Sequence, residues 1–191
     1  MASRGELETA IATHVRGGDL RAAATEALRG YGPEILGYLC AVLRDEETAA
    51  ESFSRFAEDL WKGLPGFRGE STFRTWAYRV AWNAACDELD DAYHKRARRL
   101  ATSEISRIAA QVRSSSAEYL RDAAKDRLKK MRDALDPEEQ SLLVLRVNRG
   151  LSWKEVGQVL AREGEQIDPA ALRKRFERLK EKLRRLSRAG E

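Results

Sequence analysis

Residues Leu151 to Leu186 admit few folds. LSWKEVGQVLAREGEQIDPAALRKRFERLKEKLRRL reads as two helices joined by a turn, the second heavily basic. Ser152 stands before an apolar-periodic run and Glu155 follows three residues later. That is a capping box: the Ser hydroxyl accepts from one orphan N–H and the Glu reaches back to another. Val156, Val159 and Leu160 give this helix one apolar face; Gly164 is its expected end, with Gln166 and Ile167 in the turn. Asp168 suits the cap of the second helix. Pro169 suits its first position, where a missing N–H costs nothing.

The second helix carries Leu172, Phe176, Leu179, Leu183 and Leu186 at alternating four and three spacing, one continuous apolar stripe. Arg173, Lys174, Arg175, Arg178, Lys180, Lys182, Arg184 and Arg185 fall off it, diluted only by Glu177 and Glu181. A helix seated on one side and basic elsewhere suits the major groove of DNA. The alternative is an amphipathic helix with a solvated basic face.

A length of 191 residues allows one or two domains. The net charge of +4 matters less than its arrangement: acids crowd residues 45 to 59, bases crowd 94 to 99 and 173 to 188. Such a chain could meet both a protein and a nucleic acid. Cys40 and Cys86 are far apart among apolar residues, which predicts small buried thiols without a disulfide. No apolar run approaches the roughly 20 residues of a membrane span, and the N-terminus, MASRGELETA, lacks a signal-peptide core. A cytoplasmic protein with no membrane insertion is expected. His14 and His94 are isolated, and neither metal-ligand spacing nor a phosphate-binding Gly-rich loop occurs. Neither an enzyme nor a cofactor is expected.

Helical spacing dominates and β-branched runs are scarce, predicting an all-α chain of two small helical domains joined by a flexible linker. A first helix breaks at Gly17-Gly18, and Asp19 caps a second. Gly30-Tyr31-Gly32-Pro33 punctuates, and a third helix runs from Pro33 to about Leu43. Asp45 caps the next, with Ala49, Phe53, Phe56, Leu60 and Trp61 inward and Glu46, Glu47, Glu51, Glu58 and Asp59 on the other face. Gly63 to Glu70 is a loop by its Gly and Pro content, unusual in holding Phe67 and Arg68. Ser71 or Thr72 caps a long helix to about Ala92, with Phe73, Trp76, Ala77, Val80 and Ala84 on one side. Tyr78, Trp82 and Leu89 lie opposite, with Arg79 and Asn83 on the flank. Those aromatics are either covered by another helix or a stacking surface for unpaired bases, with Lys95, Arg96, Arg98 and Arg99 suited to the phosphates beside them.

Periodicity weakens from Ala97, and Ser114-Ser115-Ser116 marks a linker. The expected division is therefore a first domain over residues 1–96, a linker over 97–118 and a second domain over 119–191. In the last, Leu128, Met131 and Leu135 face inward. Asp136 to Glu139 opens a capped helix with Leu142, Leu143, Leu145 and Val147 in its core and Gly150 at its close.

Two blocks carry a resemblance to a known family: LPGFRGESTFRTWAYRVAWNAACDEL and LDPEEQSLLVLRVNRGLSWKEVGQVL with the basic helix that follows. Together, and in this order, they resemble the bacterial RNA polymerase sigma factors of the sigma-70 superfamily, extracytoplasmic-function (ECF) group. The former block resembles region 2, with Phe73 and Trp76 as its F-x-x-W pair and Arg79, Asn83 and Asp87 along the helix; the latter is similar to region 4. The resemblance implies a factor that binds core RNA polymerase and directs promoter-specific initiation. Region 2 would bind the β′ clamp helices, with Asp45, Glu46, Glu51, Arg55, Glu58 and Asp59 as contacts. It would also open the −10 element, with Phe67, Arg68 and Asn83 capturing a flipped base, supported by Arg79 and Trp82, and with Lys95, Arg96, Arg98 and Arg99 nearby. Region 4 would meet the β flap and the −35 element through Ser152, Trp153, Lys154, Arg173, Lys174, Arg175, Arg178 and Lys182. An anti-sigma factor is a further implied partner.

The chain departs from that pattern in places. The turn from Ala161 to Pro169 is longer than usual, so a helix–loop–helix with a long loop is expected. Gly157 stands where alanine is usual, which suits close packing and costs about 1 kcal/mol of helix propensity. Asp90-Asp91 replace the more usual arginine, moving the expected phosphate contact on to Lys95–Arg99. Ser54-Arg55 replace the usual glutamine and acid of the clamp-binding helix. Two other readings stand beside the sigma factor: a helix-turn-helix regulator acting without polymerase, and a protein-binding module that mimics a sigma factor.

Overall fold

Side-chain caps set where most of the helices begin. In the computed structural model, which describes residues 3–91, 133–162 and 165–189, α1 spans Arg4–Arg16 and starts from a Ser3–Glu6 capping box. Helix α2 (Leu20–Leu43) opens on Asp19, which accepts the Ala22 N–H at 2.9 Å. Helix α3 (Glu46–Gly63) opens on Asp45, which accepts the Thr48 N–H at 2.7 Å. Each such cap is worth about 1 kcal/mol. A 3₁₀ turn over Leu64–Gly66 leads to a loop and to α4 (Phe73–Asp91). The break at Gly17-Gly18 and the caps at Asp19 and Asp45 fall where expected.

The expected punctuation at Gly30 to Pro33 does not occur: α2 runs through it without a break. Proline inside a helix costs about 3 kcal/mol. Burying one large apolar side chain returns roughly 1.5–3 kcal/mol, and Tyr31, Ile35, Leu36 and Leu39 are all buried by the continuous helix. Tertiary packing therefore outweighs local propensity. Gly30 has a reason of its own, since a Cβ there would collide with the Leu7 side chain of α1.

Helix α4 packs against α1, α2 and α3. It is buried around most of its girth, through Phe73, Ala77, Tyr78, Ala81, Trp82, Ala84 and Ala85. The helix thus buries more than the single apolar stripe that its spacing suggests. Tyr38 of α2 meets Tyr78 edge-on at 5.3 Å, so the aromatics opposite the stripe take the covered alternative. Cys40 and Cys86 are free thiols, half-buried and not fully buried as expected.

The chain divides into two compact units between Glu118 and Tyr119. In the second, α5 (Pro137–Leu143) starts from the Asp136–Glu139 capping box and continues as a π turn over Val144–Asn148. The wider turn, in which the Arg149 N–H donates to the Val144 carbonyl at 3.0 Å, shifts the helical phase. Val144 is buried in consequence, and Val147, expected in the core, is 60% exposed. Gly150 then takes φ +68°, a value open to glycine at little cost.

Helix α6 covers Trp153–Leu160 with Val156, Val159 and Leu160 buried, and α7 covers Pro169–Ala189. Helix α6 stops at Leu160, short of Gly164, because Ala161 is already extended (ψ 130°); Gly164 lies outside the described residues. All described elements are helical, with no strand among them, and none is long and apolar enough to cross a membrane. The expected linker, the resumption at Tyr119, and Leu128 and Met131 lie outside the described residues.

Candidate nucleic-acid interface

The loop before α4 is pinned by aromatic rings. Leu64 is fully buried, and the Phe67 N–H closes the short turn on the Leu64 carbonyl at 3.1 Å. The half-buried Phe67 ring lies 5.2 Å from Phe73 and 5.3 Å from Trp76, and those two are 5.2 Å apart. Phe73 also stacks on Tyr31 at 6.2 Å. Each such pair adds roughly 0.5–1.5 kcal/mol beyond area burial. Gly69, at φ +72°, turns the chain, and Arg68 and Glu70 are left exposed.

The start of α4 is capped from two directions. Thr72 Oγ1 accepts the Thr75 N–H at 3.1 Å. The Glu8 carboxylate of α1 accepts the Phe73 and Arg74 N–H groups at 2.8 and 2.9 Å, together with the Tyr31 hydroxyl at 2.6 Å. Burial, then the bond to Glu8, pushes the Tyr31 phenol well above its ordinary range. Arg74, 8% exposed, makes a forked pair with Glu34 of α2 at 2.7 and 3.2 Å and lies over the Tyr78 ring. No local spacing announces Glu8, because its partners lie 65 and 66 residues away.

Along α4, Asn83 is exposed, Arg79 half-buried and Trp82 only 7% exposed. Trp82 is therefore packed into the core of the unit, where the expectation had it as a supporting contact. Lys95, Arg96, Arg98 and Arg99 lie outside the described residues.

On α3, Glu46 and Glu51 are exposed. Asp45 is occupied as a cap, and the Thr48 hydroxyl, then its N–H, hold the Asp45 carboxyl below its usual range. The lower part of the helix faces α4. Arg55 pairs with Asp87 at 2.8 Å, Glu58 lies 3.6 Å from Lys62, and Asp59 is half-buried. Burial raises the Asp59 carboxyl, opposed by Lys62 and Arg55. The six expected polymerase contacts thus split into an exposed acidic end and a lower group paired or part-buried within the unit. Burial pushes the nearby Cys40 thiol up to about 11, away from the thiolate a nucleophile needs.

In the second unit, the Ser152 hydroxyl is committed to its capping box with Glu155, at 3.3 and 2.7 Å. Trp153 is half-buried, edge-on to Phe176 at 5.4 Å and covered by the Arg146 guanidinium at 4.7 Å from the ring centre. Lys154 is exposed. Leu172 and Leu179, on the apolar stripe of α7, are buried. A Cβ at Gly157 would stand 3.1 Å from the Ile167 carbonyl, so the long turn folds back on α6 there. Asp168 caps α7 by accepting the Ala170 N–H at 2.9 Å.

The five basic residues of α7 expected at the −35 element form two groups. Arg173, Lys174 and Arg178 are exposed. Arg175 and Lys182 reach back to the first turn of α5, pairing with Glu138 at 2.6 Å and Glu139 at 2.5 Å. Asp136, Glu138, Glu139, Arg175, Arg178 and Lys182 line a cleft of about 370 Å³.

Known proteins resemble the chain over both units. Residues 27–99 match the family Sigma-70 region 2, a span holding α3, the aromatic loop and all of α4. RNA polymerase sigma-H factor of Pseudomonas aeruginosa is 27% identical over 165 residues, 81% of this chain and 83% of the relative. RNA polymerase sigma factor YlaC of Bacillus subtilis is 28% identical over 153 residues, 78% of this chain and 86% of the relative. Both alignments are longer than the 118 residues of the first unit, so the likeness reaches into the second. Residues 27–99 thus match a sigma-70 region 2, and the chain is similar over most of its length to two RNA polymerase sigma factors.

Proposed function

We propose that this chain is a sigma factor of the extracytoplasmic-function group that binds core RNA polymerase and reads a promoter at two places. The first unit opens the −10 element and holds an unpaired base with Phe67, Arg68 and Asn83. The second lays α7 along the −35 duplex, with Arg173, Lys174 and Arg178 toward the DNA. The observation that carries this reading is the pairing of a region 2 match over residues 27–99 with a separate, well-capped helix that leaves Arg173, Lys174 and Arg178 among its exposed cations. Exposed cations displace counterions from phosphate, and the residues at the start of a groove-bound helix reach base edges.

Arg175 and Lys182 enter as flanking phosphate contacts that must first leave Glu138 and Glu139. Glu46 and Glu51 are the proposed contacts to the β′ clamp helices; region 4 would also meet the β flap, and an anti-sigma factor is the proposed inhibitor.

Pull-down of β′ by the purified chain, followed by transcription with reconstituted holoenzyme on a genomic library, tests the proposal. Promoter-specific transcripts are the expected result. A footprint by the chain alone on duplex DNA, with no holoenzyme transcript, would favour the stand-alone regulator. Arg173→Ala should weaken binding to the −35 duplex by roughly 1–3 kcal/mol if it reads a base. An unchanged affinity removes it from the surface.

A further inference from the structure

We infer that Glu8 is a positioning residue for the base-holding loop: its carboxylate fixes the start of α4 and, through it, the aromatic cluster that seats Phe67. The inference rests on the reading of Leu64 to Ser71 as a strand-opening loop. Glu8 itself lies outside residues 27–99, the span matched by region 2.

The first turn of a helix presents four N–H groups without internal partners. In α4, Thr72 satisfies one and Glu8 satisfies two. The Glu8 carboxylate also sits at the positive end of the helix dipole, where negative charge is favoured. Its third bond, from the Tyr31 hydroxyl, ties the same carboxylate to the middle of α2. One side chain thus fixes three helices at one point.

That point lies beside the loop. Phe73 donates its N–H to Glu8, and its ring holds both Phe67 and Tyr31. Trp76, one turn on, completes the seat of Phe67. A shift at the start of α4 therefore moves the floor under Phe67 and Arg68 together. The register of α1 is itself keyed, because Leu7 fills the space left by the missing side chain of Gly30. Misplacement of a recognition group by about 1 Å is enough to lose a large part of its effect.

Glu8→Gln keeps the size of the side chain and loses its charge, and it turns an amide N–H₂ toward donors. Wild-type holoenzyme would first select promoters from a randomised DNA pool. A fork-junction DNA with the selected −10 strand unpaired then serves as probe, beside one with its most constrained base replaced. Ile11→Val, in the same helix and fully buried, is the packing control.

With Glu8→Gln, discrimination between the two probes should fall about tenfold, while affinity for core polymerase stays at the wild-type value. Ile11→Val should keep the discrimination. Glu8→Asp, which retains charge on a shorter stem, should fall between Glu8→Gln and wild type and stands in if Glu8→Gln does not fold. Undiminished discrimination in Glu8→Gln, or in Glu8→Asp where that substitutes for it, overturns the inference. So does a loss of discrimination by Ile11→Val to the same degree, which would make Glu8 merely structural. If wild-type holoenzyme selects no promoter at all, the sigma-factor reading of the loop fails, and this inference with it.

Discussion

The two units handle charge in opposite ways. In the first, Arg74 and Glu34 make a forked pair with side chains only 10% and 20% exposed, and Glu8 gathers three donors beside it. In the second, Arg175 and Glu138 pair at nearly the same distance with 43% and 45% of their side chains in water. A surface pair contributes little and is screened by salt. A part-buried one, once formed, is costly to break because a single partner is left stranded. The first arrangement fixes geometry; the second leaves cations that a phosphate can recruit. That contrast suits a niche for one unpaired base in the first case and a sliding contact with a charged duplex in the second.

Three substitutions test the contrast. Phe73→Ala should have the largest effect, costing about 4 kcal/mol of stability in the first unit, since the ring is 2% exposed and touches Tyr31, Phe67 and Trp76. Urea unfolding followed by tryptophan fluorescence would measure it, and a loss below about 1 kcal/mol would mean the aromatic seat is not a rigid floor. Arg74→Ala should cost roughly 2–3 kcal/mol by removing the forked pair to Glu34. Hydrogen exchange along α2 and α4 reads that change, and exchange no faster than in wild type would place the pair with its surface counterpart.

Glu138→Gln should change stability by less than about 0.5 kcal/mol. It should also raise duplex affinity slightly and steepen the salt dependence, because Arg175 is released. A stability loss above about 1 kcal/mol would erase the distinction drawn between the units.

Much of the fold was legible because its instructions are local. Ser152 with Glu155, Asp136 with Glu139, and the caps at Asp19 and Asp45 each act over three residues, and each helix starts where they indicate. Where a distant partner or a change of phase intervened, local rules failed. Gly30 to Pro33 resemble a stop until Leu7 and the buried Tyr31 are placed against them. Val147 sits at a core spacing for a regular helix but not for one widened by a π turn. Trp82 had two possible environments, and helical period alone could not choose between them.

The candidate interface shows the same division. The sequence by itself determined that the chain is helical, that its charge is gathered on particular helices, and that α7 carries a basic surface around an apolar stripe. Periodicity and capping are properties of neighbouring residues, so they survive without any knowledge of the fold. Only the tertiary structure decided which of those cations are exposed and which are taken by Glu138 and Glu139. It also decided that Trp82 is buried and that Glu8 caps a helix 65 residues away. Those outcomes depend on which side chains meet across the core, and no spacing along the chain encodes such a meeting.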